Sequence, residues 1–184
     1  VADTDNNRVL IWKNVATLTS GQQADLVLGQ ADFTGIGQNR NPVPGAAQPM
    51  ANTLSGPFGV HSDASHIYVS DAYNSRVLIW NTLDPVNGQA ADVVLGQPTF
   101  LVSGASPTAN NSAVNDPMGL FAWNGQLYVS DSQLHRVAVW TRIPTLSNAP
   151  INVVLGQSDV NSGAPNSGGL TASRLQAPSN ILAT

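Results

Sequence analysis

The chain repeats two short phrases three times, in the same order and at a nearly constant spacing. The first phrase reads RVLIW at residues 8–12 and 76–80 and RVAVW at 136–140, and the second ends in VLGQ at residues 27–30, 94–97 and 154–157. The arginines that open the first phrase, Arg8, Arg76 and Arg136, lie 68 and then 60 residues apart. A regular period of this size indicates one supersecondary unit that is copied and stacked, so the fold can be predicted unit by unit.

The second unit contains four apolar segments that are typical of short β-strands. These segments are residues 57–60, 66–71, 76–80 and 92–95. The third segment presents Val77 and Ile79 on one face, and its other face carries Leu78 and Trp80. Because both faces are apolar, we expect this strand to be buried between two neighbouring layers.

Four short antiparallel strands in each unit, buried on both faces and repeated in tandem, predict an all-β fold built from the blades of a β-propeller. We expect one propeller segment over residues 1–184. Its predicted parts are blade 1 at 1–56, which lacks its first strand, blade 2 at 57–116, blade 3 at 117–177, and the first strand of a further blade at 178–184.

The order of motifs within a unit resembles the NHL repeat. The string P-x-G-V, then I-Y-V-S-D, then N-x-R-V-L-I-W carries the resemblance. In the second copy the matching residues are Pro57, Gly59, Tyr68, Val69, Asp71, Asn74, Arg76 and Val77. The third copy matches at Pro117, Gly119, Tyr128, Val129, Asp131, Arg136 and Val137, with Leu134 in place of the Asn, and the first copy matches over residues 1–8.

The resemblance implies a propeller, commonly of six blades, so that about three four-stranded blades would form half of a ring. It implies no particular chemistry, because relatives include kinase sensor regions, protein- and RNA-binding modules and a few lyases. The name-giving His of the family is present only as His135.

Three blades are fewer than the roughly four to eight that close a propeller. In the repeat alignment, Val1 corresponds to Val69 and Pro178 corresponds to Pro57. Two explanations stay open at this point, beside an open arc of three blades. The missing blades belong to a longer chain, or two copies join head to tail, with residues 180–183 of one completing the blade at residues 1–30 of the other.

Composition narrows the classes of partner. All eleven acidic residues are Asp, the net charge is −4, and no Lys/Arg cluster is available to neutralise several phosphates, which argues against nucleic acid. No stretch approaches the roughly 18 apolar residues of a membrane span. Only 10% of the residues are charged. A surface rich in amides and hydroxyls favours an exported bacterial protein that is secreted, periplasmic or on the cell surface.

Residues that recur in every unit are predicted to build the scaffold. They are Asp3, Arg8, Trp12, Asp71, Arg76, Trp80, Asp131, Arg136 and Trp140. We expect each Asp to accept N–H bonds in the turn and to pair with the Arg five residues on, and each Trp to belong to the core between blades. The alternative is a ring of carboxylates that binds cations or substrate, with the tryptophans as a stacking platform.

Binding residues are expected among the residues that do not repeat. Arg40 and Met50 lie in the long connection at 34–55, and Arg174 lies in the corresponding connection at 160–177. Binding residues often lie in loops on a rigid scaffold, so these three are predicted to contact a ligand or partner. His61 is placed on the innermost strand, which would line the central channel.

The family resemblance makes His61 a further candidate, because lyase-like members hold a metal in that channel. Its counterparts in the other copies are Phe121 and Leu182, which are not metal ligands, so we predict no metal site. The sequence shows no catalytic constellation, and neither a catalytic residue nor a cofactor is predicted.

The predicted function is therefore a non-catalytic, exported propeller scaffold or binding module. It would recognise a protein or carbohydrate partner through the loops between blades, or act as a structural unit in an assembly. The alternative is a metal-dependent lyase or lactonase whose site lies in the central channel, with further blades supplying the remaining ligands.

Overall fold

The structure, a computed structural model, describes residues 1–40, 48–106 and 108–182, and these residues form three antiparallel sheets with little helix. The first sheet contains β1 (Ala2–Asp3), β2 (Arg8–Ile11) and β3 (Leu26–Leu28). The second contains β4 (Pro57–Ser62), β5 (Ile67–Asp71), β6 (Arg76–Trp80) and β7 (Val93–Leu95). The third contains β8 (Pro117–Trp123), β9 (Gln126–Asp131), β10 (Arg136–Trp140) and β11 (Val153–Leu155).

These sheets confirm the all-β prediction. The helical segments are single 3₁₀ turns at Thr4–Asn6, Val15–Thr17, Gln38–Arg40 and Ala72–Asn74. In the described part of the chain, no helix has the length and apolar character needed to cross a membrane.

Each sheet is a meander in which strands adjacent in sequence are also neighbours in space. In the second sheet, β5 and β6 form a hairpin that places Asp71 directly opposite Arg76. The same register places Asp131 opposite Arg136 in the third sheet. The residue before each Arg has a positive φ of 51–53°, which closes the turn that joins the two strands. The repeated Asp and Arg therefore meet at the same end of every sheet.

The strand β6 is buried on both faces, as the alternation of its apolar residues predicts. Val77 and Ile79 belong to the core between the second and third sheets. Leu78 and Trp80 belong to the core between the first and second sheets. The sheets thus stack face to face, and the burial of apolar side chains between them is the main source of stability.

A linker from each following sheet covers the outer edge of the sheet before it. In β3, Val27 N donates to Asn87 Oδ1 at 3.0 Å and Val27 O accepts from Gly88 N at 2.9 Å. In β7, Val94 N donates to Ser147 Oγ at 3.1 Å and Val94 O accepts from Asn148 N at 2.8 Å. These bonds satisfy main-chain groups that an edge strand would otherwise expose.

The repeated Gln of the VLGQ phrase joins two loops within each unit. Gln97 Nε2 donates to Ser75 O at 3.0 Å, in the hairpin turn, and to Gly104 O at 2.9 Å, in the loop after the fourth strand. Gln30 and Gln157 make the equivalent pairs of contacts. The preceding glycine has a φ of 87–89° in all three copies, a conformation that favours glycine.

The segment expected to form the first strand of a further blade, residues 178–184, is not a strand over its described part, residues 178–182. It nevertheless lies beside β8, because Gly119 N donates to Ser179 O at 2.9 Å. A Cβ on Gly119 would lie 2.8 Å from Asn180 Cα, and one on Gly59 would lie 2.4 Å from Met118 O. The segment therefore lies against β8 in the same way that β8 lies against β4. It differs from a strand because no neighbouring strand among the described residues pairs with it.

Candidate functional site

The Asp71–Arg76 pair of the second sheet is completely buried. Arg76 Nε lies 2.7 Å from Asp71 Oδ2, and both side chains are 0% exposed. Asp71 Oδ1 accepts from Ser55 N at 2.7 Å, while the guanidinium donates to Thr53 O at 2.9 Å and Phe100 O at 2.7 Å. The pair therefore joins the hairpin to the loop that precedes the sheet and to the loop that follows it.

The third sheet repeats this arrangement, and the first sheet has a more open version. Arg136 Nε lies 2.9 Å from Asp131 Oδ2 with both side chains 0% exposed, whereas the Arg8–Asp3 pair, at 2.7 Å, is 16% and 28% exposed. Burial raises the pKa of Asp131 to about 6, against the opposing effects of the Arg136 charge and of the N–H groups that donate to it. Carboxylates enclosed in this way serve the scaffold, since a ligand cannot reach them.

The repeated tryptophans differ in burial. Trp80 and Trp140 are enclosed, and their Nε1 atoms donate to Gln89 O at 3.1 Å and Ala149 O at 3.0 Å. Trp12 makes the corresponding bond to Gln22 O at 3.1 Å but is only half-buried. Trp12 is less enclosed than Trp80 and Trp140 because the described residues place no sheet on the outer face of the first sheet.

The side chain of Arg40 is occupied by the scaffold. Its Nε donates to Gly29 O at 3.3 Å and its Nη2 donates to Gly88 O at 3.0 Å, which connects the first sheet to the linker of the second. Burial lowers the pKa of Arg40. Met50 is exposed, and its carbonyl accepts from Arg76 Nη2 at 3.0 Å.

Arg174 lies in the connection after the third sheet and is half-buried. Its main-chain N donates to Thr171 O at 3.3 Å. The described hydrogen bonds bring no two of Arg40, Met50 and Arg174 together.

His61 lies in a cleft of about 370 Å³ at the end of the sheets opposite the Asp–Arg pairs. The cleft, here called the His61 cleft, is lined by residues 61–63 of the second sheet and by residues 121–125 and Ile143 of the third. The His61 ring lies 4.7 Å from the Phe121 ring, and its Nε2 is 3.2 Å from Ala122 O. Since a carbonyl can only accept, Nε2 carries the hydrogen and donates it.

At the rim of the His61 cleft, the carboxylate of Asp63 accepts several hydrogen bonds. This carboxylate accepts from Ser65 N at 2.7 Å, from His66 N at 2.8 Å and from Tyr68 Oη at 2.6 Å. Burial acts to raise the pKa of Asp63, but these donors outweigh it and lower the pKa to about 2. Burial and the Asp63 charge raise the pKa of Tyr68. The rim therefore carries a fixed negative charge at neutral pH.

The lowered pKa of Asp63 predicts an acid-dependent loss of stability. In the unfolded chain this carboxyl titrates near 3.8, so the native state gains stability from it above pH 4 and loses that gain as the pH falls towards 2. We expect the unfolding free energy of an Asp63→Asn variant to change less than that of the parent chain over this range. Urea denaturation at several pH values between 2 and 5 tests this, and parallel curves for the two proteins would contradict it.

A second, larger cleft of about 590 Å³ is lined by residues of both the first and the second sheet. It is here called the first-sheet cleft. Leu10 and Trp12 line it from the first sheet, and Val60 and Ile67 line it from the second. It occurs where β1 is only two residues long and the first sheet has no described counterpart of β4.

Sequence reasoning did not single out Trp123 and Asn124, which line the His61 cleft. The sequence did contain a signal for Trp123, because it is the one tryptophan that does not end a copy of the repeated RVLIW-type phrase. Its side chain is 53% exposed. Across the described ranges, no three His, Asp or Glu side chains are grouped in a way that could hold a metal ion. No protein-family model matches this chain, and a comparison with curated proteins finds no match.

Proposed function

We propose that the three sheets are blades of an NHL-type β-propeller. Face-to-face stacking supports this, as does the way that β4, β8 and residues 178–182 follow one another side by side at the inner edge. A propeller has this arrangement because each blade presents its first strand to a common axis. The repeated ion pairs, glutamines and tryptophans then serve as the framework of each blade.

On this framework we propose a non-catalytic, exported binding module whose partner occupies the His61 cleft. The observation that carries the proposal is the combination of an exposed Trp123 ring with the ionised Asp63 and the amide of Asn124 around one concave surface. Sites of this kind use apolar and aromatic walls for contact area and a few polar groups for orientation.

A saccharide has the matching chemistry. One face of a sugar ring presents C–H groups that pack on an aromatic ring, and its edge presents hydroxyls that donate to a carboxylate or accept from an amide. The low charge of the chain agrees with a neutral ligand, since long-range steering would contribute little. A protein partner would have to enter the same cleft with a side chain of comparable shape.

The lyase or lactonase alternative would require metal ligands beside His61. Across the cleft, the neighbours of His61 are the Phe121 ring and the Ala122 carbonyl, and its Nε2 already donates to that carbonyl. This arrangement supports a binding role for His61 better than a ligand role.

The test is saccharide binding by the parent chain and by a Trp123→Ala variant. A glycan array identifies the saccharide, and calorimetry then measures its affinity. We expect Trp123→Ala to weaken binding by about tenfold or more, which corresponds to about 1.4 kcal/mol. Tyr73→Ala is the matched control, because Tyr73 is an exposed aromatic residue in the turn at the opposite end of the second sheet.

We expect the Tyr73→Ala control to bind like the parent chain. Equal affinities for Trp123→Ala and the parent chain would exclude the His61 cleft as the site. If the chain binds a protein but no saccharide on the array, the partner is a protein and the carbohydrate proposal is wrong.

A further inference from the structure

The guanidinium of Arg40 joins the first two sheets through main-chain carbonyls. Its Nε donates to Gly29 O at 3.3 Å, directly after β3, and its Nη2 donates to Gly88 O at 3.0 Å, in the linker of the second sheet. A guanidinium has N–H donors and no acceptor, and its charge strengthens the hydrogen bonds that it donates. Carbonyl oxygens at this place between two sheets therefore bind a guanidinium within the chain.

The repeat places equivalent carbonyls between the second and third sheets. Gly96 has the position of Gly29 in the VLGQ phrase. Asn148 has the position of Gly88, because each donates its N–H to the carbonyl of the middle residue of the preceding outer strand, β7 or β3, at 2.8 and 2.9 Å. Both residues also have a positive φ, 57° for Asn148 and 65° for Gly88. The counterparts of the two carbonyls that Arg40 contacts are therefore Gly96 O and Asn148 O.

A pocket of about 290 Å³, here called the Asn148 pocket, lies at this second place. No Lys, Arg or His is among the described residues that line it. Counted from the Gln of the VLGQ phrase, the position of Arg40 is taken in the second unit by Pro107, which has no side-chain donor and lies outside the described residues. The polar residues that line the pocket, together with Gly96, are Gln97, Ser106, Asn110, Ser112 and Asn148.

The two serines of the Asn148 pocket add further acceptors. Ser106 Oγ donates its hydrogen to Thr108 O at 2.8 Å, and Ser112 Oγ donates its hydrogen to Asn111 Oδ1 at 3.2 Å. Because both hydroxyl hydrogens are used in this way, the two hydroxyl oxygens can only accept from a ligand. The pocket therefore matches a group that carries several donors and a positive charge.

We propose that the Asn148 pocket binds the guanidinium of an arginine residue in a partner polypeptide, at the place that Arg40 takes between the first and second sheets. The planar guanidinium can donate to Gly96 O and Asn148 O together. The described lining residues have no charged side chain to pair with the α-ammonium and α-carboxylate of free arginine, which favours an arginine within a polypeptide. The net charge of −4 agrees with a basic partner.

The side chain of Asn148 determines how deeply the guanidinium enters. A Cβ on Gly88 would lie 2.5 Å from Arg40 Nη2, so the Cβ that Asn148 carries excludes a guanidinium from the same position. We expect the bound group to lie about 1 Å further from this main chain, at ordinary contact distance. Asn148→Gly removes the obstacle and keeps the carbonyl, so it should bind arginine about threefold more tightly or better. Weaker binding by Asn148→Gly would overturn this placement.

Titration of the parent chain with Nα-acetyl-arginine amide, followed by NMR of the main-chain amides, tests the proposal. We expect saturable shifts at Ser106, Ser112 and Asn148, with a dissociation constant in the millimolar range because a single side chain is bound. The blocked amides of citrulline, a neutral isostere of arginine, and of lysine should bind about tenfold more weakly or worse. Absence of saturable shifts would overturn the proposal, and so would equal binding of citrulline or lysine.

Arg40→Ala supplies a positive control inside the same chain. It removes the guanidinium between the first and second sheets and leaves Gly29 O and Gly88 O in place, so the same blocked arginine should now also shift the Gly88 amide. Shifts at Gly88 without shifts at Asn148 would show that the probe is suitable and would overturn the proposal. Circular dichroism establishes that this variant is folded, and the titration of the parent chain does not depend on it.

A Ser106→Ala, Ser112→Ala double variant should bind the blocked arginine about threefold more weakly or worse, since two acceptors are lost. Ser103→Ala is the matched control, because Ser103 is exposed in the same loop and does not line the pocket. Unchanged affinity of the double variant would overturn the role of the hydroxyls, and tighter binding of free than of blocked arginine would overturn the polypeptide partner. The Asn148 pocket and the His61 cleft share no lining residue, so either proposal can fail without the other.

Discussion

Replacing Arg76 with methionine is expected to lower the free energy of unfolding by about 3–5 kcal/mol, the range found when one partner of a buried ion pair is removed. The substitution leaves the Asp71 carboxylate buried without its counter-charge. It also removes the donors to Thr53 O and Phe100 O, which lie in two different loops. Urea denaturation followed by tryptophan fluorescence measures the change.

Arg8→Met is the matched control, because Arg8 occupies the same position in the first sheet. The Arg8–Asp3 pair is partly exposed to solvent, so water can replace the lost contact. We expect a loss of about 1 kcal/mol or less, as for surface pairs. Equal losses for Arg8→Met and Arg76→Met would show that burial does not determine the contribution of the pair.

A double variant, Arg76→Met with Asp71→Leu, tests whether the loss of stability in Arg76→Met comes from the isolated charge of Asp71. If the large loss comes from an isolated buried charge, removing the second charge should recover part of it. Full recovery is not expected, because Asp71 also accepts from Ser55 N and from Asn74 Nδ2. A double variant that is less stable than Arg76→Met would exclude the isolated charge as the main cause.

Trp80→Ala is expected to lower the free energy of unfolding by about 3–5 kcal/mol, as for other truncations of buried aromatic residues. Trp80 is fully enclosed in the core between the first and second sheets, and its Nε1 donates to Gln89 O. The substitution creates a cavity and leaves that carbonyl without its donor. Thermal and urea denaturation provide the measurement.

Trp12→Ala is the control for Trp80→Ala. Trp12 makes the corresponding bond to Gln22 O but is only half-buried. We expect the isolated chain to lose clearly less stability with Trp12→Ala than with Trp80→Ala. A similar loss for the two variants would show that burial of the Trp side chain does not determine the loss.

Much of the strand structure could be predicted from local patterns. The alternation of Val77 and Ile79 with Leu78 and Trp80 identified a strand buried on both faces, because successive side chains in a strand point to opposite sides. The position of Asp71 opposite Arg76 also follows from local structure, since a short turn determines the register of a hairpin.

The parts that could not be predicted depend on contacts between distant residues. The sequence predicts Arg40 as a contact residue, and the structure adds that two of its donors bond to Gly29 O and to Gly88 O, the latter 48 residues away. The His61 cleft exists because β4 and β8, which belong to different units, lie side by side. Residues 178–184 carry the pattern of a strand, but a strand also requires a ladder of main-chain hydrogen bonds to a neighbouring strand, and the described part, residues 178–182, forms no such ladder.

The sequence by itself determined the repeated unit, its strands, the two apolar faces of its third strand and the residues that repeat in every copy. It could do so because period-two alternation and hairpin pairing act over a few residues. Only the tertiary structure decided which copies of a repeated residue are buried, as Leu155 and Leu95 show. Burial depends on whether another sheet lies against the face, and identical local sequences at the middle and at the ends of a stack differ in that respect.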